Sequence, residues 1–146
     1  MAQQRTKQNI KAARKRVEIA LEKYKMYLLT LPDDMLPKIT SSYSIAPPSK
    51  TNQFYSSTEA VAIQRIDYER EREEYMQRIQ AAVNRCSEME RAIIVQCYMQ
   101  TEDVYDYEIY NELGISESKF YQLKGKALDK LAVILGFISV EELFNG

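Results

Sequence analysis

The chain has 146 residues, 45% of them apolar, with 20 Lys and Arg against 21 Asp and Glu and no histidine. That length suits one domain, or one small domain with an appendage, and the four glycines and four prolines leave helix formers dominant. The missing histidine removes the usual zinc fingers and any Ser-His or Cys-His nucleophile pair, and Cys86 and Cys97 form no CxxC pattern, so no metal, cofactor or catalytic residue is expected. The polar, basic start has no signal-peptide core, and no run approaches the roughly 20 apolar residues of a membrane span. A cytoplasmic protein that is not an enzyme is the expectation.

Residues 5–31 read as a first helix. Ile10, Ala13, Val17, Ala20, Tyr24, Tyr27 and Leu31 recur at alternating steps of three and four, the heptad spacing that buries a seam against another helix. Leu21 and Leu28 widen that stripe. Two uses fit the seam: a homodimer, or packing on the second helix of the same chain. Residues 1–30 also hold eight bases and two acids, a net charge of +6 that leaves −7 for the rest. The bases between Arg5 and Arg16 fit either a solvated helix start or a second DNA-contacting patch.

From Pro32 to Ser57 the composition turns to proline, serine and threonine without a period. A long loop is predicted, disordered around Pro47 and Pro48. A second helix then starts at Thr58 and Glu59 and runs to Arg85 or Cys86. Its charged run carries i,i+4 pairs at Arg65–Glu69, Arg70–Glu74 and Glu74–Arg78 and reads as a solvated face. Its thin seam is Val61, Tyr68, Tyr75, Ile79, Ala82 and Cys86.

Ser87 with Glu90 makes a capping box for a third helix through Met99, with Ile93, Ile94, Cys97 and Tyr98 buried. A fourth helix is expected over Tyr105–Leu113, stopped by Gly114. Ser116 caps a fifth that reaches Leu135 before Gly136. Ser139 and Glu142 box a small closing helix with Val140, Leu143 and Phe144. The fold class is therefore all-α, with a helical N-terminal region at 1–86, its Pro/Ser-rich loop at 32–57, and a C-terminal domain at 87–146.

The stretch DYEIYNELGISESKFYQLKGKAL has the layout of a helix-turn-helix. At about 100° per residue, Phe120, Leu123, Ala127 and Leu131 fall on the core side of the fifth helix. Ser118, Gln122 and Gly125 fall opposite, flanked by Lys119, Tyr121 and Lys126. Gln122 can pair bidentately with adenine, serine reads either kind of edge, and lysines suit phosphates. Gly125 is placed where close approach to a groove would help. The candidate DNA-binding set is Ser116, Glu117, Ser118, Lys119, Tyr121, Gln122, Gly125, Lys126 and Lys130. Four lysines against Glu117 and Asp129 give Ile115–Leu131 a net charge of only +2. The plain alternative is a glycine C-cap followed by a solvated lysine face.

Residues 87–135 resemble the promoter-reading C-terminal region of bacterial sigma factors. SEMERAIIVQCY resembles the family's preceding helix. The run Lys126, Ala127, Leu128, Asp129, Lys130, Leu131 matches its Lys-Ala-Leu-x-Lys-Leu ending, and Gln122 matches a base-contacting glutamine. The chain is also similar to the ArpU-type late-gene transcriptional regulators of phages and prophages, through EIYNELGISESKFYQLKGKALDKLAVILG, the overall length and a helical N-terminal half with a loop. Tyr110 stands where many helix-turn-helices have alanine, which is expected to open the angle between the fourth and fifth helices. Glu117 replaces the sigma-type arginine, so sigma promoter preference does not carry over. The resemblance implies a sigma-like, sequence-specific DNA-binding regulator, an activator of phage late genes in the cytoplasm of a bacterial host. Double-stranded DNA and host RNA polymerase are the implied partners, with a homodimer as the working unit. A small terminase subunit or a helical adaptor protein are the other functions the sequence leaves open.

Overall fold

The computed structural model describes residues 2–48 and 59–145. The start expected at Thr58, the loop over 49–57 and the side chain of Val61 lie outside the described residues. Among the described residues six helices are formed: α1 Ala2–Leu29, α2 Glu59–Asn84, α3 Glu88–Tyr98, α4 Asp106–Leu113, α5 Glu117–Ile134 and α6 Val140–Phe144. Between α1 and α2 lie a single 3-10 turn, Asp33–Met35, and a two-residue antiparallel ladder of β1, Lys38–Ile39, with β2, Ile45–Ala46. The described residues are all-α apart from that ladder.

The α1 stripe decides the architecture. Ala13, Val17, Leu21, Tyr24 and Leu28 are buried in one core with Ile79 and Val83 of α2, Ile94 and Val95 of α3, and Ala127, Leu128 and Leu131 of α5. The seam is therefore filled from within the same chain and is not a free surface for pairing with a second copy. Of the two uses of the seam, packing within the chain is the one formed here. The physical reason is that a heptad stripe specifies an apolar partner without specifying whose it is. The core also takes side chains from both sides of the boundary drawn at residue 86.

The charged face of α2 is less solvated than its composition suggests. Arg65–Glu69 pairs at 3.3 Å as expected. Arg72, however, is buried, donating to Thr30 Oγ1 at 3.2 Å and lying over the Tyr68 ring. Arg78 turns to the carbonyl of Leu135 at 3.2 Å. Tyr75 donates its hydroxyl to the Ala20 carbonyl at 2.6 Å, and Met76 and Val83 join the expected seam.

The segment 32–48 is not the structureless loop its composition predicts. Asn84 treats Ile45 as a strand neighbour: its Oδ1 accepts from Ile45 N at 2.9 Å and its Nδ2 donates to Ile45 O at 3.1 Å. Arg91 donates to the Ser42 carbonyl at 2.9 Å. The hairpin persists because side chains on α2 and α3 satisfy backbone groups of β2 and of the turn before it, a pattern without any periodic signature in the local sequence.

Glu90 is the most informative buried charge. The capping box forms as expected: Ser87 Oγ accepts from Glu90 N at 3.3 Å, while Ser87 N donates to Glu90 Oε1 at 2.9 Å. Lys130 of α5 donates to the same carboxylate at 2.8 Å. Burial opposes the charged form, but the Lys130 ammonium and the Ser87 donors outweigh it and hold the Glu90 carboxyl below its ordinary value of 4.5. A depressed carboxyl stabilises the fold fully above that ordinary value, and the contribution is lost as pH falls through the lower folded value. Glu90→Gln is expected to cost about 1–2 kcal/mol at neutral pH, the scale of a charge-assisted hydrogen bond. Urea midpoints measured across acid pH should show the variant's deficit shrinking as the wild-type carboxyl protonates. A deficit that stays constant would refute the linkage.

Candidate nucleic-acid interface

Helix α4 ends in the glycine turn that a helix-turn-helix needs. Gly114 takes φ 70° and ψ 29°, a left-handed conformation that costs a side-chain-bearing residue about 1–2 kcal/mol. Its N–H donates to Asn111 O at 3.2 Å and that of Ile115 to Tyr110 O at 3.1 Å, the paired bonds of a Schellman stop. Ser116 then caps α5, its Oγ accepting from Lys119 N at 3.1 Å.

Phe120 sets the rotation of α5. It is fully buried with Ile93 of α3 and Ile109 of α4, and Leu113, Ile115 and Leu123 close around them. Tyr110 does not stand apart: its ring packs on Phe120 with centroids 5.7 Å apart. With Phe120 inward, Ser116, Glu117, Ser118, Lys119, Tyr121, Gln122 and Lys126 are all exposed. Tyr121 also donates to Asp106 Oδ2 at 3.1 Å, tying α5 to the start of α4, and that hydrogen bond raises its phenol pKa.

Two members of the expected set are not on the open face. Lys130 is held by Glu90 and is not free to reach a phosphate. Gly125 is covered: a Cβ built there would meet Nη1 of Arg14 at 3.2 Å. Lys124, another of the four lysines in this stretch, lies over the rings of Tyr98 and Phe120. Helical periodicity places residues around α5 but does not show that α1 and α3 cover two of its sides. The open face therefore keeps two lysines, Lys119 and Lys126.

Arg14 is the residue the sequence reading did not connect to this site. Its Nε and Nη2 donate to Asp129 Oδ1 and Oδ2 at 2.6 and 2.9 Å, a bidentate pair across 115 residues. No local signal announces a contact at that separation. The pair lies against Gly125, where an added Cβ would meet the guanidinium at 3.2 Å. Gly125→Ala is nonetheless expected to raise the melting temperature modestly, because alanine gains about 1 kcal/mol in a helix interior and the half-exposed Arg14 can shift by a few tenths of an ångström. Thermal denaturation showing a clear loss would mean that Arg14 cannot yield.

Elsewhere the chemistry is quiet. Burial pushes the thiols of both Cys86 and Cys97 up to about 11, so neither is a ready nucleophile. Among the described residues no cluster of three or more His, Cys, Asp or Glu could hold a metal ion, and no helix is long and apolar enough to cross a membrane.

Over 119 residues the chain is 35% identical to the uncharacterized phage-related protein Lin1259/Lin1739 of Listeria innocua, an alignment spanning 82% of this chain and 83% of that one. The chain belongs to that phage-related family. It is also similar to Protein Gp66 of Listeria phage A118, 28% identical over 104 residues and 71% of each chain. No family model and no solved structure matches this phage-related chain.

Proposed function

We propose that this phage-related protein is a sequence-specific, double-stranded-DNA-binding transcriptional regulator of the ArpU type, an activator of phage late genes working beside host RNA polymerase. The observation that carries the reading is the α4–Gly114–α5 unit, with Phe120 turned inward and Ser118, Gln122 and Lys126 left open along one side of α5. That side offers a bidentate amide for a base edge and lysines for phosphates, on a helix whose N-terminal N–H groups favour an anion. Its membership of a phage-related family agrees with the setting.

The test is footprinting of DNA upstream of neighbouring late genes. A protected site is expected, and Gln122→Ala should lower affinity for it about ten- to a hundredfold, the range of one lost bidentate base contact. Protection that survives with unchanged sequence preference would mean that another face reads the bases. A chain that shifts no duplex at all would instead favour the adaptor reading.

A further inference from the structure

We infer that the N-terminal half of α1 is part of the same DNA-binding surface, with Lys7 and Lys11 as phosphate contacts beside the groove-facing side of α5. This rests on the DNA-binding reading above and deepens it.

The first observation is position. Gln122, Gly125, Lys126 and Asp129 stand at i, i+3, i+4 and i+7, along one edge of α5. Arg14 lands on that edge, against Gly125 and in a bidentate pair with Asp129. Lys7, Lys11 and Arg14 share one face of α1 at i, i+4 and i+7. The two lysines therefore continue from the point of contact, about 4.5 and 10.5 Å further along the axis at 1.5 Å per residue. Both are exposed, and neither makes an ion pair among the described residues.

The second is direction. Beyond Arg14 the C-terminal half of α1 runs toward α3, where Lys25 pairs with Asp103 just past the end of that helix. Helix α3 covers the arc of α5 between Lys130 and Lys124, through Glu90 and Tyr98. The N-terminal half of α1 accordingly points away from α3, starting from the edge at Gly125 and Asp129 that borders Gln122 and Lys126.

The third is charge. With Lys130 paired to Glu90 and Lys124 packed on Tyr98 and Phe120, α5 alone has too few free cations for a duplex carrying one negative charge per roughly 1.7 Å. Arg14 neutralises Asp129, the acid on this edge, and the lysines of α1 extend the positive surface past it.

The experiment titrates a fluorescently labelled random-sequence duplex with the full chain across a salt series. Wild type is compared with Lys7→Ala/Lys11→Ala, with Lys119→Ala/Lys126→Ala, and with Lys38→Ala as an exposed control on the hairpin. Each phosphate contact contributes about 0.9 to the slope of log K against log salt, so the α1 double variant should lower the slope by about 1.8. Its circular dichroism and melting temperature should match wild type, and Lys38→Ala should leave the slope unmoved. If only the Lys119/Lys126 variant lowers the slope, α1 is not in the interface and the DNA-binding reading survives without it. If Lys7→Ala/Lys11→Ala binds more tightly, α1 obstructs DNA and the inference is overturned. If wild type binds no duplex at any salt, both proposals fall together.

Discussion

Phe120→Ala is expected to destabilise the protein by about 3–5 kcal/mol, the cost of emptying a large aromatic site from a packed interior. Phe120 is fully buried in the smaller of the two cores, where Ile93 and Ile109 are its fully buried companions. Few side chains can collapse into the space, so relaxation should recover little of the loss. Against a total stability of about 5–15 kcal/mol for a domain, this one change would leave the fold marginal. The damage should also be local: α4 rests on α3 and α5 through this cluster, so amide exchange should accelerate over 106–123 before it does in α1 or α2. Urea unfolding with hydrogen exchange checks both parts. A cost below about 1 kcal/mol, the usual scale of an average substitution, would show that the turn at Gly114 is held by something other than this ring.

Leu21→Ala is the second, expected to cost about 2–5 kcal/mol as a buried leucine truncation. Leu21 is fully buried in the main core, among side chains of α1, α2, α3 and α5. Because that burial is within one chain, the loss of stability caused by Leu21→Ala should be the same at low and high protein concentration. An interface between copies would make it concentration-dependent by mass action. Met26→Ala is the companion measurement, since Met26 is 59% exposed on the outer side of the same helix and should change stability by about 0.5 kcal/mol or less. Equal effects at the two positions would refute the assignment of the inner face.

The two substitutions divide the molecule in a way the chain itself only half discloses. Ser87 and Ser139 cap helices as their spacing to Glu90 and Glu142 suggests, Ser116 caps α5 as expected, and Gly114 and Gly136 stop helices with positive φ. Each depends on atoms within a few residues, so each is legible locally. Asn84 pairing with Ile45 across 39 residues is not, and with it goes the small ladder hidden in an apparently featureless linker.

The candidate interface follows the same division. Helical periodicity in the sequence was sufficient to turn Phe120 inward and Ser118 and Gln122 outward, because the angle per residue is a property of the helix alone. It could not show that Lys130 belongs to Glu90, 40 residues away, or that Gly125 lies under Arg14. Those pairings form only when α1 and α3 are laid across α5, and the apolar stripes that drive that packing are non-directional about their partner. Caps, stops, helix register and the apolar face of α5 were thus determined by the sequence itself. Which cations remain free, and which helix shares their edge, was decided by the tertiary packing, since a charge is committed or released by neighbours that only folding brings near.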